Sequence, residues 1–396
     1  MRLLLAVPIT LLSLGGILLI APTSQARLAG VFVAAVMLAG APSALSVVFQ
    51  MRVRNHIPMA IMTLNSVIWG AGVVVVSALS GGIVAFSAVF LATSALTSAL
   101  TVVWALRMAT VRLRGVRELW GALLRVGVGV GVAGILVTVY VKLDQILVLE
   151  YAGSRQAGLY GAAYRLLDQV QFIPISVMTT LFPLIAAAYS SHRDRARALL
   201  QSAAEYLAMA SLPILAFTVV GAHPIITLLF GRAFGPAAPA LPILAGAFVS
   251  ISFGYLVGNM VVVLELQRRF IRFAAMGVVI NVVLNILLIP RYGFLAAAWI
   301  TLLTEVTVMS LSMRMVLAEL SMRPRFTRLL RTLLAAAAMG LATWLSRLAG
   351  LPLAGLVAVS IASYLPFLLL LKVVTVRELL AVLRRDSTSI EGQYVR

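Results

Sequence analysis

Long apolar stretches, separated by short polar and charged segments, run through almost the whole chain. Residues 28–51, 55–106, 206–231, 233–264 and 348–371 contain no Lys, Arg, Asp or Glu. A helix needs about 20 apolar residues to cross a hydrocarbon core of about 30 Å. The pattern predicts twelve spans, at residues 3–21, 28–49, 58–79, 83–106, 123–149, 158–187, 200–229, 237–264, 271–289, 294–315, 329–348 and 351–371. We therefore predict an all-α, polytopic membrane protein.

The charge of the chain, +19 in 396 residues, is concentrated in alternate connections between the spans. With Met1 placed in the cytoplasm, 24 of the 31 basic residues fall in cytoplasmic segments, five in external loops and two inside spans. Basic residues favour the cytoplasmic side of a membrane. This bias predicts a multi-pass membrane protein with both termini in the cytoplasm, in contact with anionic lipids. It also argues against nucleic acid as the partner.

The connections predict the domain organisation and exclude some chemistry. We predict an N-terminal bundle over 1–106, a basic cytoplasmic linker over 107–122, a six-helix bundle over 123–320, an added hairpin over 321–373 and a cytoplasmic tail over 374–396. Cysteine is absent and the three histidines lie far apart in the sequence. We therefore expect no disulfide, no metal centre and no cofactor. The external loops are too short to hold the catalytic carboxylates of a membrane glycosyltransferase.

From residue 140 onward, several short motifs occur in a recognisable order and spacing. They are KLDQIL at 142–147, GLYGAAYRL at 158–166, FIP at 172–174, LFP at 181–183, LFGRAF at 229–234, NVVLNILLIPRYG at 281–293 and AAA at 296–298. On these motifs the chain resembles the Wzx-type oligosaccharide flippases of the multidrug/oligosaccharidyl-lipid/polysaccharide (MOP) exporter superfamily. The QMRVR segment at 50–54 resembles the connector after the family's fourth helix.

The resemblance implies two helical bundles around a central cavity that opens alternately to the two sides of the membrane. The implied cargo is an undecaprenyl-pyrophosphate-linked oligosaccharide for cell-surface polysaccharide biosynthesis. The implied partners are a polysaccharide polymerase or glycosyltransferases of the same pathway. No bond is made or broken, so the resemblance implies that the chain is not an enzyme. Family members carry six helices before the Asp144-type helix, whereas four are predicted here, so the N-terminal bundle is expected to lack the first two.

Three ionisable residues lie at similar predicted depths in the fifth and sixth spans. At a rise of about 1.5 Å per residue, Lys142, Arg165 and Asp168 lie roughly 10–15 Å from the external end. Charged side chains inside a membrane are costly and mark functional sites. One hypothesis is that Lys142 and Arg165 bind the pyrophosphate, with Asp168 tuning the site or accepting a proton. The alternative is that Arg165 and Asp168 neutralise each other while Lys142 extends to the surface.

Four other residues are candidates for substrate binding, beside Asp144. Asp144 stands roughly 200° around the helix from Lys142, and the resemblance alone makes it a candidate; a polar helix interface is its alternative. Tyr160 and Tyr164, one helical turn apart, either stack on sugar rings or pack in the core. Asn281 and Asn285 repeat that spacing, and either hydrogen-bond between helices or line a cavity.

Glu305 lies near the middle of the tenth span, close to Thr301, Thr304 and Thr307. A carboxyl group at this depth either takes part in proton coupling or hydrogen-bonds to a neighbouring helix. Two further functions stay open beside the flippase. One is an ion-coupled multidrug antiporter of the same superfamily. The other is a truncated, non-transporting membrane subunit, suggested by the short N-terminal bundle.

Overall fold

The computed structural model describes residues 2–21, 23–46, 48–49, 56–108 and 116–375. The chain divides into two compact units, residues 1–126 and residues 127–396. Three predicted features lie wholly or partly outside the described residues: the connector at 50–54, residues 109–115 of the basic linker, and the tail from 376 onward. The predicted domain boundaries stay a prediction.

Unit 1 consists of membrane-length helices with short connections. Its described elements are α1 (Arg2–Ile20), α2 (Ser24–Gly40) followed by a 3₁₀ helix (Ala41–Ser46), α3 (His56–Ala78) and α4 (Ile83–Met108). The side chain of Thr23 caps α2 by accepting a hydrogen bond from the Ala26 N–H at 3.1 Å. Since Pro42 has no N–H to donate, the second predicted span tightens into the 3₁₀ helix instead of continuing as α-helix.

The core of unit 1 lies where α3 and α4 meet the chain that follows the 3₁₀ helix. Phe49, Ile57, Ile61 and Ala105 are buried together there. Elsewhere α2 and α3 both pack along α4. The hydroxyl groups of α4 bond mainly to its own backbone, as with Ser87 to the Ile83 carbonyl at 2.8 Å. Such bonds satisfy the hydroxyl groups within the helix, so these polar residues need no charged partner in the bundle.

Unit 2 holds the remaining helices. They are α5 (Val116–Val170, which begins in unit 1), α6 (Phe172–Ser191), α7 (Arg193–Phe230), α8 (Ala240–Val263), α9 (Gln267–Tyr292), α10 (Phe294–Glu319), α11 (Thr327–Leu348) and α12 (Leu353–Leu370), with a 3₁₀ helix (Arg232–Ala237) before α8. The middle helix, α8, packs against α6, α7 and α10. Its residues Leu244, Phe248, Leu256 and Met260 are fully buried between them.

The long helix α5 is two arms folded against each other at Gly153. This glycine has a φ of 83°, a conformation that residues with a side chain rarely adopt. The second arm ends at Val170, and the predicted sixth span continues as α6 after a one-residue break. Pro174 stands in the first turn of α6, where its missing N–H is tolerated.

The hairpin of α11 and α12 packs along α7 and supplies hydrogen bonds that α7 itself lacks. Pro213 and Pro224 lie inside α7. Each proline leaves the carbonyl four residues earlier without its helical donor. The Tyr364 hydroxyl donates to the first of these, Met209 O, at 2.8 Å. The Arg347 guanidinium donates to the second, Val220 O. The hairpin therefore completes the backbone hydrogen bonding of a helix with two proline interruptions.

A second polar contact fastens the hairpin to the start of α7. The Arg328 guanidinium forms an ion pair with the buried Glu205 carboxylate at 3.1 Å, and it donates to Val373 O at 2.6 Å. The Gln201 amide bonds to both the N–H and the carbonyl of Arg325, at 3.2 and 2.9 Å. These bonds fix the chain that leads from α10 into α11.

The predicted fold class is confirmed: the described chain is an all-α bundle of membrane-length helices. Ten of the twelve predicted spans coincide with one helix or one arm of α5; the span 28–49 is divided between α2 and its 3₁₀ helix, and the span 158–187 between the second arm of α5 and α6. Among the described residues, ten helical segments are long and apolar enough to cross a membrane by length and composition. The apolar part of α1, Ala6–Leu19, is shorter.

Candidate functional site

The two arms of α5 bring distant residues together. Lys142 on the first arm and Asp168 on the second are 26 positions apart in sequence, yet Lys142 Nζ lies 3.3 Å from Asp168 Oδ2. A straight helix would separate them by about 39 Å. The reversal at Gly153 therefore creates the site, since it places the motif residues 142–147 beside residues 158–168.

Asp144 lies at the centre of a buried polar cluster that joins α5, α9 and α10. Its side chain is only 3% exposed. Asp144 Oδ1 accepts from the Asn285 amide at 2.9 Å. Asp144 Oδ2 accepts from the Thr301 hydroxyl at 2.7 Å, and the Tyr160 hydroxyl lies 3.4 Å from the same oxygen. Three neutral donors from three helix segments thus converge on one carboxyl group.

The cluster also contains a hydrogen-bond acceptor that none of its donors reaches. The Asn285 amide donates to Asn281 Oδ1 at 2.9 Å, while its own Oδ1 is buried without a hydrogen-bond partner. Thr301 lies 2.9 Å from Ala297 O. A carboxyl group beside several neutral oxygen atoms can bind a proton or coordinate a small hard cation. The described residues contain no group of three His, Cys, Asp or Glu side chains that could hold a transition metal.

No described cationic side chain forms an ion pair with Asp144. Lys142 is only two positions away, but it points across the hairpin to Asp168. This separation agrees with the helical spacing, which places the two side chains on opposite sides of the first arm. Asp144 and Lys142 therefore belong to two different environments, one buried and one half-exposed.

The half-exposed environment is a row of polar side chains that starts at Lys142. Asp168 accepts from Lys142 and, through its other oxygen, from the Gln171 amide at 3.3 Å. The Tyr255 hydroxyl of α8 donates to Gln171 Oε1 at 3.0 Å. The ammonium of Lys142 also lies 5.2 Å from the centre of the Tyr164 ring. Each member is hydrogen-bonded to its neighbour, although Lys142 and Asp168 are only partly buried.

Tyr164 lies between the buried cluster and the half-exposed row. Its ring centre is 5.6 Å from that of Tyr160, so the two predicted aromatic residues do lie against each other. Both are buried in the core of unit 2. Tyr164 also interacts electrostatically with Asp144, Asp168 and Glu305.

Arg165 is exposed on the second arm, one position after Tyr164. Asp168 pairs with Lys142 and not with Arg165, because Lys142 reaches it from the opposite arm. None of the described residues forms a hydrogen bond or ion pair with Arg165. Of the two cations predicted for the substrate site, Lys142 is paired with Asp168, and Arg165 is exposed without an ion-pair partner among the described residues.

Sequence reasoning did not identify three residues of the arrangement. Thr301 was noted only as a neighbour of Glu305, although it makes the shortest bond to Asp144. Gln171 and Tyr255 were not singled out at all. Gln156, also unpredicted, accepts from the Phe294 N–H at 3.0 Å and so caps α10. The spacing of Thr301 from Gly293 offered one signal, since it places the hydroxyl two turns inside the helix that begins after Gly293.

A model for a family described as polysaccharide biosynthesis protein matches residues 23–239, more than half of the chain. The chain belongs to this family. The matched region includes both arms of α5 and therefore Lys142, Asp144 and Asp168. The polysaccharide biosynthesis match ends before α9 and α10, which contribute Asn281, Asn285 and Thr301.

One curated relative is similar to part of this chain. The probable flippase AglR of Haloferax volcanii is 24% identical over 173 residues, which cover 42% of this chain and 35% of AglR. The chain thus matches about a third of the length of that curated relative.

Two solved structures share the fold. The lipid II flippase MurJ, in an inward closed conformation, superposes with a TM-score of 0.68 at 13% identity, over 92% of this chain and 74% of MurJ. A MOP superfamily transporter from Pyrococcus furiosus gives 0.58 at 16% identity, over 81% and 76%. The chain therefore shares the fold of these two transporters, and this fold together with the family match confirms the resemblance seen in the sequence.

Proposed function

We propose that this chain moves an undecaprenyl-pyrophosphate-linked oligosaccharide across the bacterial cytoplasmic membrane for surface polysaccharide biosynthesis, by alternating access. The lipid tail stays in the bilayer while the headgroup passes along the polar side chains of the helices. The observation that carries the proposal is the half-exposed row from Lys142 to Tyr255 on membrane-length helices, in a chain of the polysaccharide biosynthesis family. Similarity to AglR and the MurJ fold support it. No covalent step is involved.

The charges suggest how a pyrophosphate would be held. Arg165 is the exposed cation, and its planar guanidinium can contact two phosphate oxygens at once. Lys142 is paired with Asp168, so it becomes available only when that pair opens. In this proposal Arg165 engages the headgroup first, and the phosphate then displaces Asp168 from Lys142. Polymerase and glycosyltransferases of the pathway would supply and consume the cargo.

Asp144 is proposed to couple transport to a proton or a small cation. An ionised carboxyl buried without a counterion is costly. A proton or a cation bound among the oxygens of Asp144, Asn281 and Asn285 would remove that cost. Because the cluster joins α5 to α9 and α10, loading or emptying it would change how these helices pack. Asp168 and Glu305 are secondary candidates for proton coupling.

A second candidate, an ion-coupled multidrug antiporter, is favoured by one observation. Three carboxyl groups interact with Tyr164, an environment that suits a cationic aromatic compound as well as a coupling ion. The two candidates differ in cargo charge. A cationic drug requires the acids and gains nothing from Arg165, whereas a pyrophosphate requires Arg165.

Replacing Arg165 tests the proposal directly. Arg165→Ala should abolish export of surface polysaccharide in a strain that depends on this chain, while Arg165→Lys should retain part of it. Arg155→Ala is the matched control, because Arg155 is an exposed arginine on the same arm. Membrane levels of each variant are measured by immunoblot. Wild-type export by Arg165→Ala would contradict the proposed role, and drug efflux without polysaccharide export would favour the antiporter.

A further inference from the structure

Unit 1 contains a cavity of about 120 Å³ whose walls are neutral and rich in hydroxyl groups. It lies among α2, its 3₁₀ extension, α3 and α4. The residues that line it are Gly40, Ser43, Asn65, Phe90, Thr93, Ser94, Thr97 and Ser98. A single water molecule needs about 10–15 Å³ of such space. The cavity therefore has room for several water-sized polar groups.

Some polar groups of the cavity are already bonded, and these fix its walls. The Thr97 hydroxyl lies 2.7 Å from Asn65 Oδ1 and 2.8 Å from Thr93 O. The Ser43 hydroxyl donates to Gly40 O at 2.6 Å. Asn65 is thereby oriented with its carbonyl oxygen towards α4. The walls are held by bonds between helices as well as within them.

Other polar groups of the cavity have no protein partner. The Ser98 hydroxyl is buried, with 3% of the residue exposed, and it makes no hydrogen bond. Burying such a group is costly unless a ligand or water satisfies it. Among the described residues, the Ser94 hydroxyl and the Asn65 amide nitrogen also lack partners. Donors and acceptors thus remain for an occupant.

The charge and polarity of the lining residues indicate what kind of molecule the cavity can bind. Residues 55–106 contain no Lys, Arg, Asp or Glu, so neither a phosphate nor an ammonium group would be balanced here. Phe90 adds an apolar face, and its ring is held at 5.4 Å from that of Trp69 in an edge-on contact. Hydroxyl and amide groups beside an aromatic face suit an uncharged sugar, whose ring has polar edges and an apolar side.

We propose that this cavity is a subsite for an uncharged sugar of the lipid-linked cargo, with Asn65, Ser94 and Ser98 hydrogen-bonding to sugar hydroxyls. The proposal rests on the proposed function and deepens it.

The absence of cysteine from the chain makes a direct test available. Ser98→Cys introduces one thiol of nearly the original size into the cavity. The full chain is reconstituted in liposomes and labelled with a small methanethiosulfonate reagent. Undecaprenyl pyrophosphate carrying N-acetylglucosamine should slow labelling at least fivefold, and undecaprenyl pyrophosphate alone should not. Ser24→Cys, at the exposed start of α2, is the control and should be labelled equally under all conditions.

Three results would overturn the proposal. Equal protection by both lipids would assign the effect to the pyrophosphate or the tail. Labelling unaffected by either lipid would leave only water in the cavity, and no labelling at all would mean that it is closed to polar compounds. Transport by the unmodified chain, measured in the same liposomes, separates this inference from the proposed function: transport without protection removes the sugar subsite alone.

A variant series gives a second readout. Ser98→Ala and Asn65→Leu should each lower the transport rate of the sugar-bearing lipid about tenfold. Ser87→Ala is the matched control, since it removes a buried hydroxyl from the same helix but outside the cavity. An equal loss in the Ser87 variant, or undiminished transport in both cavity variants, would contradict a role in binding.

Discussion

Removal of one hydroxyl group, in Tyr364→Phe, tests whether the α11–α12 hairpin stabilises the proline-containing helix α7. Tyr364 donates to Met209 O at 2.8 Å. Met209 lies four residues before Pro213, so no backbone N–H is available to that carbonyl. The substitution keeps the ring and its packing and removes only the donor. Its whole effect should therefore come from the unpaired carbonyl.

The expected cost is about 1–2 kcal/mol. Side-chain hydrogen bonds between membrane helices average about 0.6 kcal/mol and reach about 1.7. A buried acceptor left unsatisfied costs about 1–3 kcal/mol. Tyr364 is only partly buried, which places the estimate below the upper limit. Tyr206→Phe should cost under about 0.5 kcal/mol, because Tyr206 is an exposed tyrosine without a described hydrogen bond.

A double-mutant cycle identifies the cause. Pro213→Ala gives Met209 O a backbone donor, so Tyr364→Phe should cost about 1 kcal/mol less in that background than in the unmodified chain. The free energy of unfolding is measured in mixed micelles with increasing dodecyl sulfate, followed by tryptophan fluorescence. Trp344, in α11, reports on the hairpin itself. An equal cost of Tyr364→Phe in both backgrounds would refute the link between the proline and the tyrosine.

Three further substitutions have defined outcomes. Gly293→Ala should lower the free energy of unfolding by about 1–3 kcal/mol, because Gly293 has φ 63° and ψ −151° and a Cβ would collide with the Gln156 amide; a loss under about 0.5 kcal/mol would contradict this. Glu205→Gln should cost about 2 kcal/mol because it removes the carboxylate from the ion pair with Arg328, and the paired change to Leu at both positions should recover most of it. Asp144→Asn should fold normally in the same assay but transport at least tenfold more slowly, without dependence on proton or sodium gradients; a preserved gradient dependence would exclude Asp144 from coupling.

The helices could be predicted from the sequence because membrane crossing is a local requirement. A stretch such as 83–106, without charge and long enough to span, specifies a helix whatever its neighbours are. The breaks were harder to place. The predicted span 158–187 is interrupted at Gln171, and α2 changes to a 3₁₀ helix at Ala41. Both breaks lie next to a proline, Pro174 and Pro42 respectively, whose effect on the backbone varies with its position in a turn.

Most residues of the site could be predicted from the sequence, whereas the ion pairs and hydrogen bonds between them could not. Helical spacing separates Asp144 from Lys142 on the first arm, and it joins Asn281 to Asn285. Which acid pairs with Lys142 depends on the relative rotation of the two arms, a property of tertiary packing. The hydrogen bond from Thr301 to Asp144 likewise spans 157 positions in sequence. No local pattern contains that information.

The proposed activity is the transfer of lipid-linked oligosaccharide between the leaflets of a membrane. Its most direct test uses the purified full chain in liposomes with a fluorescent undecaprenyl-pyrophosphate oligosaccharide, whose outer-leaflet fraction is followed with a membrane-impermeant quencher. We predict transfer well above that of protein-free liposomes, and loss of this excess in Arg165→Ala but not in Arg155→Ala. A transfer rate equal to that of protein-free liposomes would contradict the claim.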